Sequence, residues 1–282
     1  MSRYAEMFHR LGNAGAFGAF VMLGDPSPAS SGDMLDALVE GGADMIEVGI
    51  PFSDPIADGP TIQAAADRAL AAGTTPAICF EILRAFRGRH PDVPVGVLTY
   101  ANLVLARGRE AFYRACAEAG VDSVLVADVP VMEAEPFAAA ARAHGVDPVL
   151  IAAPNTPERT LARVAELGSG YTYCVARAGV TGAETEMKLD HSSLLDMLGR
   201  HAAAPPVLGF GISRPEHVRA ALEAGAAGVI SGSAIVKLIE SEEDPRPAIR
   251  SFVAAMKAAT MRDETPQLSA AATSVSLAAS AS

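Results

Sequence analysis

Met45-Ile-Glu-Val-Gly-Ile-Pro-Phe-Ser-Asp-Pro-Ile-Ala-Asp-Gly-Pro-Thr-Ile-Gln63 contains one unit of the pattern on which the whole chain is built: an apolar run, a loop and the start of an amphipathic helix. Met45, Ile46, Val48 and Ile50 read as a strand covered on both faces, and Pro51, Pro55 and Pro60 break the chain into a loop. One carboxylate, Glu47, stands inside the run, and the loop adds Asp54 and Asp58. Burying a carboxylate among apolar neighbours is unfavourable unless it is paired or neutralised. Glu47 therefore reads either as a satisfied structural group or as an acid–base group with a raised pKa at a strand end.

The unit recurs along the chain. A short amphipathic helix over 3–12 presents Tyr4, Met7, Phe8 and Leu11 on one face. The strand Ala16–Leu23 follows, ended by Gly24-Asp25-Pro26, with a helix predicted over about 33–41. Helices near 62–72 and 75–88 lead to the strand Val93–Tyr100, and the helix near 109–119 leads to the strand Ser123–Ala127. The same alternation gives strands Pro148–Ala152, Tyr171–Val175, Val207–Phe210 and Ala227–Ile230, with helices between them and a last helix over about 245–261. Eight strand–helix units with little polar alternation in the strands predict an α/β fold, a (β/α)8 TIM barrel with an extra N-terminal helix. A doubly wound open sheet normally carries a Gly-rich loop after its first strand, and Gly24-Asp25-Pro26 is not one. Residues 1–262 are expected to form a single catalytic barrel domain. The Ala/Ser-rich residues 263–282 are a low-complexity tail expected to be disordered.

A formal charge of −11 argues against a nucleic-acid binder. The six histidines include no pair at metal-ligand spacing, so no metal is expected. Cys79, Cys116 and Cys174 carry no motif and suit a reducing compartment. No apolar run is long enough to span a membrane, and the N-terminus lacks the apolar core of a signal peptide. The expectation is a cytoplasmic protein with no membrane and no nucleic-acid partner.

In a barrel the chemistry sits at the C-terminal strand ends. Those ends supply Phe20 and Asp25, Glu47, Asp58, Leu98, Tyr100 and Asn102, Leu125, Ala127 and Asp128, Ile151, Tyr173 and Val175, and Phe210: an apolar, aromatic slot with a few carboxylates. Gly209-Phe210-Gly211-Ile212-Ser213 and Ser231-Gly232-Ser233-Ala234 follow strands seven and eight. Glycines, a serine hydroxyl and a helix N-terminus at these two loops predict a phosphate site. Arg177 to Thr185, punctuated by Gly179 and Gly182, reads as a surface loop or as a lid over substrate. None of Lys188, Lys237 and Lys257 lies inside a strand, which disfavours a Schiff-base aldolase. Two carboxylates also suit glycoside hydrolysis, but a phosphate site and a pocket short of sugar-binding groups argue against it.

These stretches together resemble the tryptophan synthase alpha chain family over about residues 1–262. The resemblance rests on residues 47–63, Leu98-Thr-Tyr-Ala-Asn-Leu103, Ala127-Asp-Val-Pro130, Arg177-Ala-Gly-Val-Thr-Gly182, Gly209-Phe-Gly-Ile-Ser213 and Gly228-Val-Ile-Ser-Gly-Ser-Ala234, all in the family's order. It implies retro-aldol cleavage of indole-3-glycerol phosphate to indole and glyceraldehyde 3-phosphate. Glu47 would be the acid–base residue, and Asp58 would hold the indole N–H. Phe20, Leu98, Tyr100, Leu125, Ala127, Ile151, Tyr173 and Val175 would line the indole slot, and Gly182, Phe210, Gly211, Gly232 and Ser233 would hold the phosphate. Arg177, Gly179 and Thr181 would belong to the lid. Pro51, Phe52, Asp54, Asn102 and Pro130 match surfaces that face a beta chain in an α2β2 heterotetramer. The resemblance implies no cofactor in this chain and pyridoxal phosphate in the beta partner, which receives the indole. Gly18, Ala19, Met22 and Thr99 depart from the family pattern near the pocket. Alternatives are a stand-alone lyase of the same fold and a catalytically silent regulatory subunit.

Overall fold

A computed structural model describes residues 1–175 and 192–261. In chain order the elements are α1 (Arg3–Leu11), β1 (Ala16–Met22), α2 (Pro28–Glu40), β2 (Met45–Gly49), α3 (Pro60–Ala71), α4 (Pro76–Arg89), β3 (Val95–Thr99), α5 (Ala101–Ala106), α6 (Arg109–Glu118), β4 (Ser123–Val126), α7 (Glu135–Ala143), β5 (Asp147–Ala152), α8 (Glu158–Leu167), β6 (Thr172–Cys174), α9 (Ser192–Arg200), β7 (Pro206–Gly209), α10 (Pro215–Glu223), β8 (Gly228–Ser231), α11 (Ser233–Ser241) and α12 (Arg246–Ala258). The eight strands are parallel and close in sequence order, β8 pairing with β1, which is the TIM barrel that the sequence predicts.

The strands alternate after all, but between two apolar walls. On β1 and β2, Phe17, Ala19, Val21, Ile46 and Val48 face outward and pack against helix residues such as Leu35, Leu38, Leu83 and Phe86. Phe20, Met22 and Met45 face the lumen with Leu125 of β4, Tyr173 of β6, Val207 of β7 and Ile230 of β8. The period of two is invisible in polarity because both faces are dry.

Local differences from the sequence prediction have physical causes. Helix α2 starts at Pro28 rather than near residue 33, because the Ser27 hydroxyl caps the Ser30 N–H at 3.3 Å and Pro28 occupies the first turn. The short α5 follows β3 directly and was not predicted, since one and a half turns carry too little periodicity to read.

The N-terminal helix closes the barrel floor. Ser2 caps α1, and Tyr4, 1% exposed, shares a 2.8 Å hydrogen bond with the Ser123 hydroxyl. Its ring lies 5.3 Å from that of Tyr171. Gly96 leaves the room for this: a Cβ there would stand 2.6 Å from the Ser123 Oγ and 3.0 Å from the Tyr4 hydroxyl. Beneath the floor, Asp122 accepts from Arg3 at 2.8 Å and from Arg87 at 2.7 Å, and Arg87 also donates to the carbonyls of Gly120, His90, Pro91 and Val93. Among the described residues no single helix is long and apolar enough to cross a membrane.

Arg87 is 14% exposed in its side chain, so its removal strands several carbonyls and takes one of its two cationic partners from Asp122, whose Oδ2 keeps only the Val95 N–H at 2.8 Å. Arg87→Leu should destabilise the fold by about 2–4 kcal/mol. In a thermal melt that is a fall of roughly 5–10 °C; an unchanged midpoint would show that this network carries no net stability.

Candidate active site

Glu47 occupies the middle of β2 and points into the lumen. Its register neighbours are Phe20 on β1 and Gly96 on β3, and the residue is 3% exposed. One oxygen accepts a 2.8 Å hydrogen bond from the Tyr171 hydroxyl, and Oε2 has no hydrogen-bond partner among the described residues. Burial, above all, raises its pKa from 4.5 to about 7; the Tyr171 bond opposes the rise, and the charge of Asp58 adds to it. The group is poised near neutrality, with one oxygen free to meet a ligand.

Asp58 ends the loop after β2. Its N–H bonds the Pro55 carbonyl at 3.1 Å, and its carbonyl accepts from the Gln63 side chain at 2.7 Å, so α3 anchors the loop. The carboxylate is 8% exposed, and burial raises its pKa to about 6 against the lowering effect of a hydrogen bond from Tyr100. Tyr100 is itself held by the loop: its hydroxyl accepts from the Ala57 N–H at 3.3 Å and its ring lies 5.4 Å from that of Phe52.

The other carboxylates at the strand ends have structural partners. Asp25 is clamped by Arg68 through bonds of 2.8 and 2.9 Å, and Asp128 accepts the Ala101 N–H at 2.7 Å. Among the described residues, Glu47 and Asp58 remain as an acidic pair at the lumen. Phe20, Leu125, Tyr173 and Val175 lie in the inner apolar cluster, and Leu98, Ala127, Ile151 and Phe210 pack against it half-buried. The same cluster contains Ile62 of α3, 5% exposed, and Tyr171, 1% exposed; neither is among the site residues that the sequence predicts. Nothing in the sequence around Ile62 separates it from an ordinary helix-face residue, and only the fold brings Tyr171 beneath Glu47. Gly209 matters here because a Cβ on it would overlap the Tyr173 phenol.

The loops after β7 and β8 meet. The Ser231 hydroxyl, at the end of β8, bonds the Ile212 carbonyl at 2.6 Å. Phe210 and Gly211 both take positive φ, 130° and 72°, which bends the backbone sharply at the strand end. Gly232 precedes α11, whose N-terminus has no side-chain cap among the described residues, and Ser233 opens the helix half-buried. An uncapped helix start beside a glycine turn suits an anion. Gly182, Arg177, Gly179 and Thr181 lie outside the described residues. On the rim, Asp54, Asn102 and Pro130 are exposed and Phe52 is half-buried, whereas Pro51 is buried within the chain. Among the described residues no group of three or more His, Cys, Asp or Glu side chains is placed to hold a metal ion.

The family model described as "Tryptophan synthase alpha chain" matches residues 8–265. The chain belongs to the tryptophan synthase alpha chain family. It is 54% identical over 266 residues to the alpha chain of Photobacterium profundum, covering 92% of this chain and 99% of that one. It is 56% identical over 267 residues to that of Cronobacter sakazakii, covering 93% and 99%. Among solved structures it is similar to tryptophan synthase of Mycobacterium tuberculosis, with a TM-score of 0.83, 31% identity and coverage of 92% and 98%. A chain from a study of mutual activation in the α2β2 complex of Pyrococcus furiosus gives 0.78, 36%, and coverage of 86% and 98%. The chain is thus an alpha-type carbon–carbon lyase of tryptophan biosynthesis, cleaving indole-3-glycerol phosphate to indole and glyceraldehyde 3-phosphate.

Folding raises the Glu47 pKa from 4.5 to about 7, so the folded protein holds this proton more tightly than the unfolded chain. Its contribution to stability is full below about pH 4.5 and is lost as pH rises through 7. Glu47→Gln keeps an acceptor for Tyr171 and never ionises. Its thermal midpoint, relative to wild type, should rise between pH 5 and pH 8, by an amount equivalent to at most roughly 3 kcal/mol. A difference that is flat with pH would overturn the raised pKa.

Proposed function

We propose that Glu47 is the general acid and then the general base of the lyase reaction, and that Asp58 holds the charge that develops on the indole ring. The observation that carries this is the Glu47 carboxyl group: buried in the lumen, hydrogen-bonded among the described residues by Tyr171 alone, and raised to about 7. Protonated Glu47 delivers its proton to C3 of the indole, which turns the ring into a cation with a C=N bond. The resulting carboxylate then takes the proton from the hydroxyl on the adjacent side-chain carbon. The C–C bond breaks, its electrons return to the ring, and indole and the aldehyde separate. One carboxyl group serves both steps because its pKa lies near the operating pH. Asp58, ionised above about pH 6, accepts the indole N–H and stabilises the cationic ring.

The inner apolar cluster supports Phe20, Leu98, Leu125, Ala127, Ile151, Tyr173 and Val175 as the walls of the indole slot, with Tyr100 beside Asp58. The uncapped start of α11 and the Phe210–Gly211 turn support Gly211, Gly232 and Ser233 as the phosphate cradle. Gly182 and the lid residues Arg177, Gly179 and Thr181 complete this proposal on the family resemblance. We assign residues 1–262 to one catalytic domain and leave the Ala/Ser tail outside it. The partner is a beta chain in an α2β2 assembly that carries the pyridoxal phosphate. Its docking face contains Phe52, Asp54, Asn102 and Pro130, beside the exposed apolar side chains of Ile56, Leu105 and Met132. Three buried free cysteines suit a cytoplasmic location.

The two pKa values set the pH profile. The proton on Glu47 is lost above about 7, and the charge on Asp58 is lost below about 6. Indole release, followed as kcat/KM against pH, should rise through about 6 and fall through about 7. Glu47→Gln should abolish turnover while binding of a glycerol-phosphate analogue survives, and retained turnover would reject the acid–base role. Asp58→Asn should lower the rate by about 100-fold or more, as loss of an electrostatic partner does. A wild-type rate there would reject the charge-holding role.

A further inference from the structure

Gly49 follows Glu47 by two residues on the lumen side of β2, and it leaves a gap in the wall of the slot. The gap is filled from the neighbouring strand. Met22 on β1 is the register partner of Gly49, which in turn is paired with Leu98, and Leu98 with Leu125. The Met22 sulfur and methyl carbon each stand 2.8 Å from where a Cβ of residue 49 would be, and the Phe20 ring tip stands 3.1 Å from the same point. The thioether therefore lies across Gly49 and against Phe20, reaching from β1 toward Leu98. Met22 is 3% exposed and belongs to the inner cluster. A methionine has three rotatable bonds and a polarisable sulfur, so it yields to shape where a branched side chain would not.

We infer that Met22 is a specificity-determining residue: its thioether, laid over Gly49, is the adjustable part of the aromatic slot and sets which ring-substituted indoles the site accepts. The inference rests on the slot assigned above. A larger ring is accommodated by rotation of the thioether away from Gly49, with Phe20 and Leu98 fixed by their strands.

The test is the reverse reaction, condensation of glyceraldehyde 3-phosphate with indole or with 4-, 5-, 6- or 7-methylindole. The quantity read is kcat/KM for each methylindole divided by that for indole. Met22→Ala opens the wall and should raise this ratio for at least one ring position by about 10-fold, the scale of a methyl group in an apolar pocket. Met22→Leu preserves volume, and so the fold, but stiffens the wall; it should lower the ratio threefold or more. Leu98→Ala serves as the comparison. Ratios within threefold of wild type for all four rings in both Met22 variants, with a shift in Leu98→Ala, overturn the assignment of Met22 alone. No shift in any of the three overturns the slot as well.

Discussion

A carboxyl group in the middle of a dry barrel is the constraint on which the rest of this structure turns. Glu47 lies between Phe20 and Gly96 in the lumen, where among the described residues one oxygen is hydrogen-bonded by Tyr171 and the other is unpartnered. Buried this way, the charged form is disfavoured and the protonated form persists to about pH 7. The floor of the barrel is built around that arrangement. Tyr171 stacks near Tyr4, Tyr4 bonds Ser123, and Gly96 gives up its side chain so that these groups fit. The N-terminal helix, which stands outside the barrel repeat, contributes through Tyr4 to the environment of the reacting group.

Above the floor, the lumen changes character. Glycines at the strand ends let aromatic and thioether side chains cross the slot, as Gly209 does for Tyr173 and Gly49 does for Met22. After β7 and β8, backbone replaces side chains as the polar surface. The hydrogen bond from Ser231 to the Ile212 carbonyl ties the two loops after β7 and β8 together, so the positive-φ turn and the helix start stay in register. The site thus places an apolar wall, a titratable group and an uncapped helix end at three positions around one rim. That division suits a substrate with a flat ring, a cleavable bond and a charged end.

Much of this was legible in the order of residues. Eight apolar runs alternating with helical periods admit few closed architectures, and Glu47 within such a run already requires explanation. The glycine and serine pattern after strands seven and eight could be read because backbone N–H groups at a helix start act through local geometry. Tyr171 was not legible, because the 124 residues separating it from Glu47 are brought together only when the barrel closes. Ile62 was hidden among ordinary helix-face residues. Asp25 and Asp128 looked like Asp58 in one dimension, and only the partners Arg68 and Ala101 separate them.

By itself, the sequence determined the repeating unit, the positions of the strand ends, the candidate carboxylates and the family, because these depend on local pattern and on motifs that stay contiguous. Tertiary structure decided which carboxylates are free and which are clamped, how far burial moves their pKa values, and which distant side chains share the lumen. Those properties arise from desolvation and from contacts across closed strand pairings. No local pattern encodes them: an aspartate in the loop after a strand becomes a structural clamp beside Arg68, as Asp25 does, and a titratable group beside Tyr100, as Asp58 does.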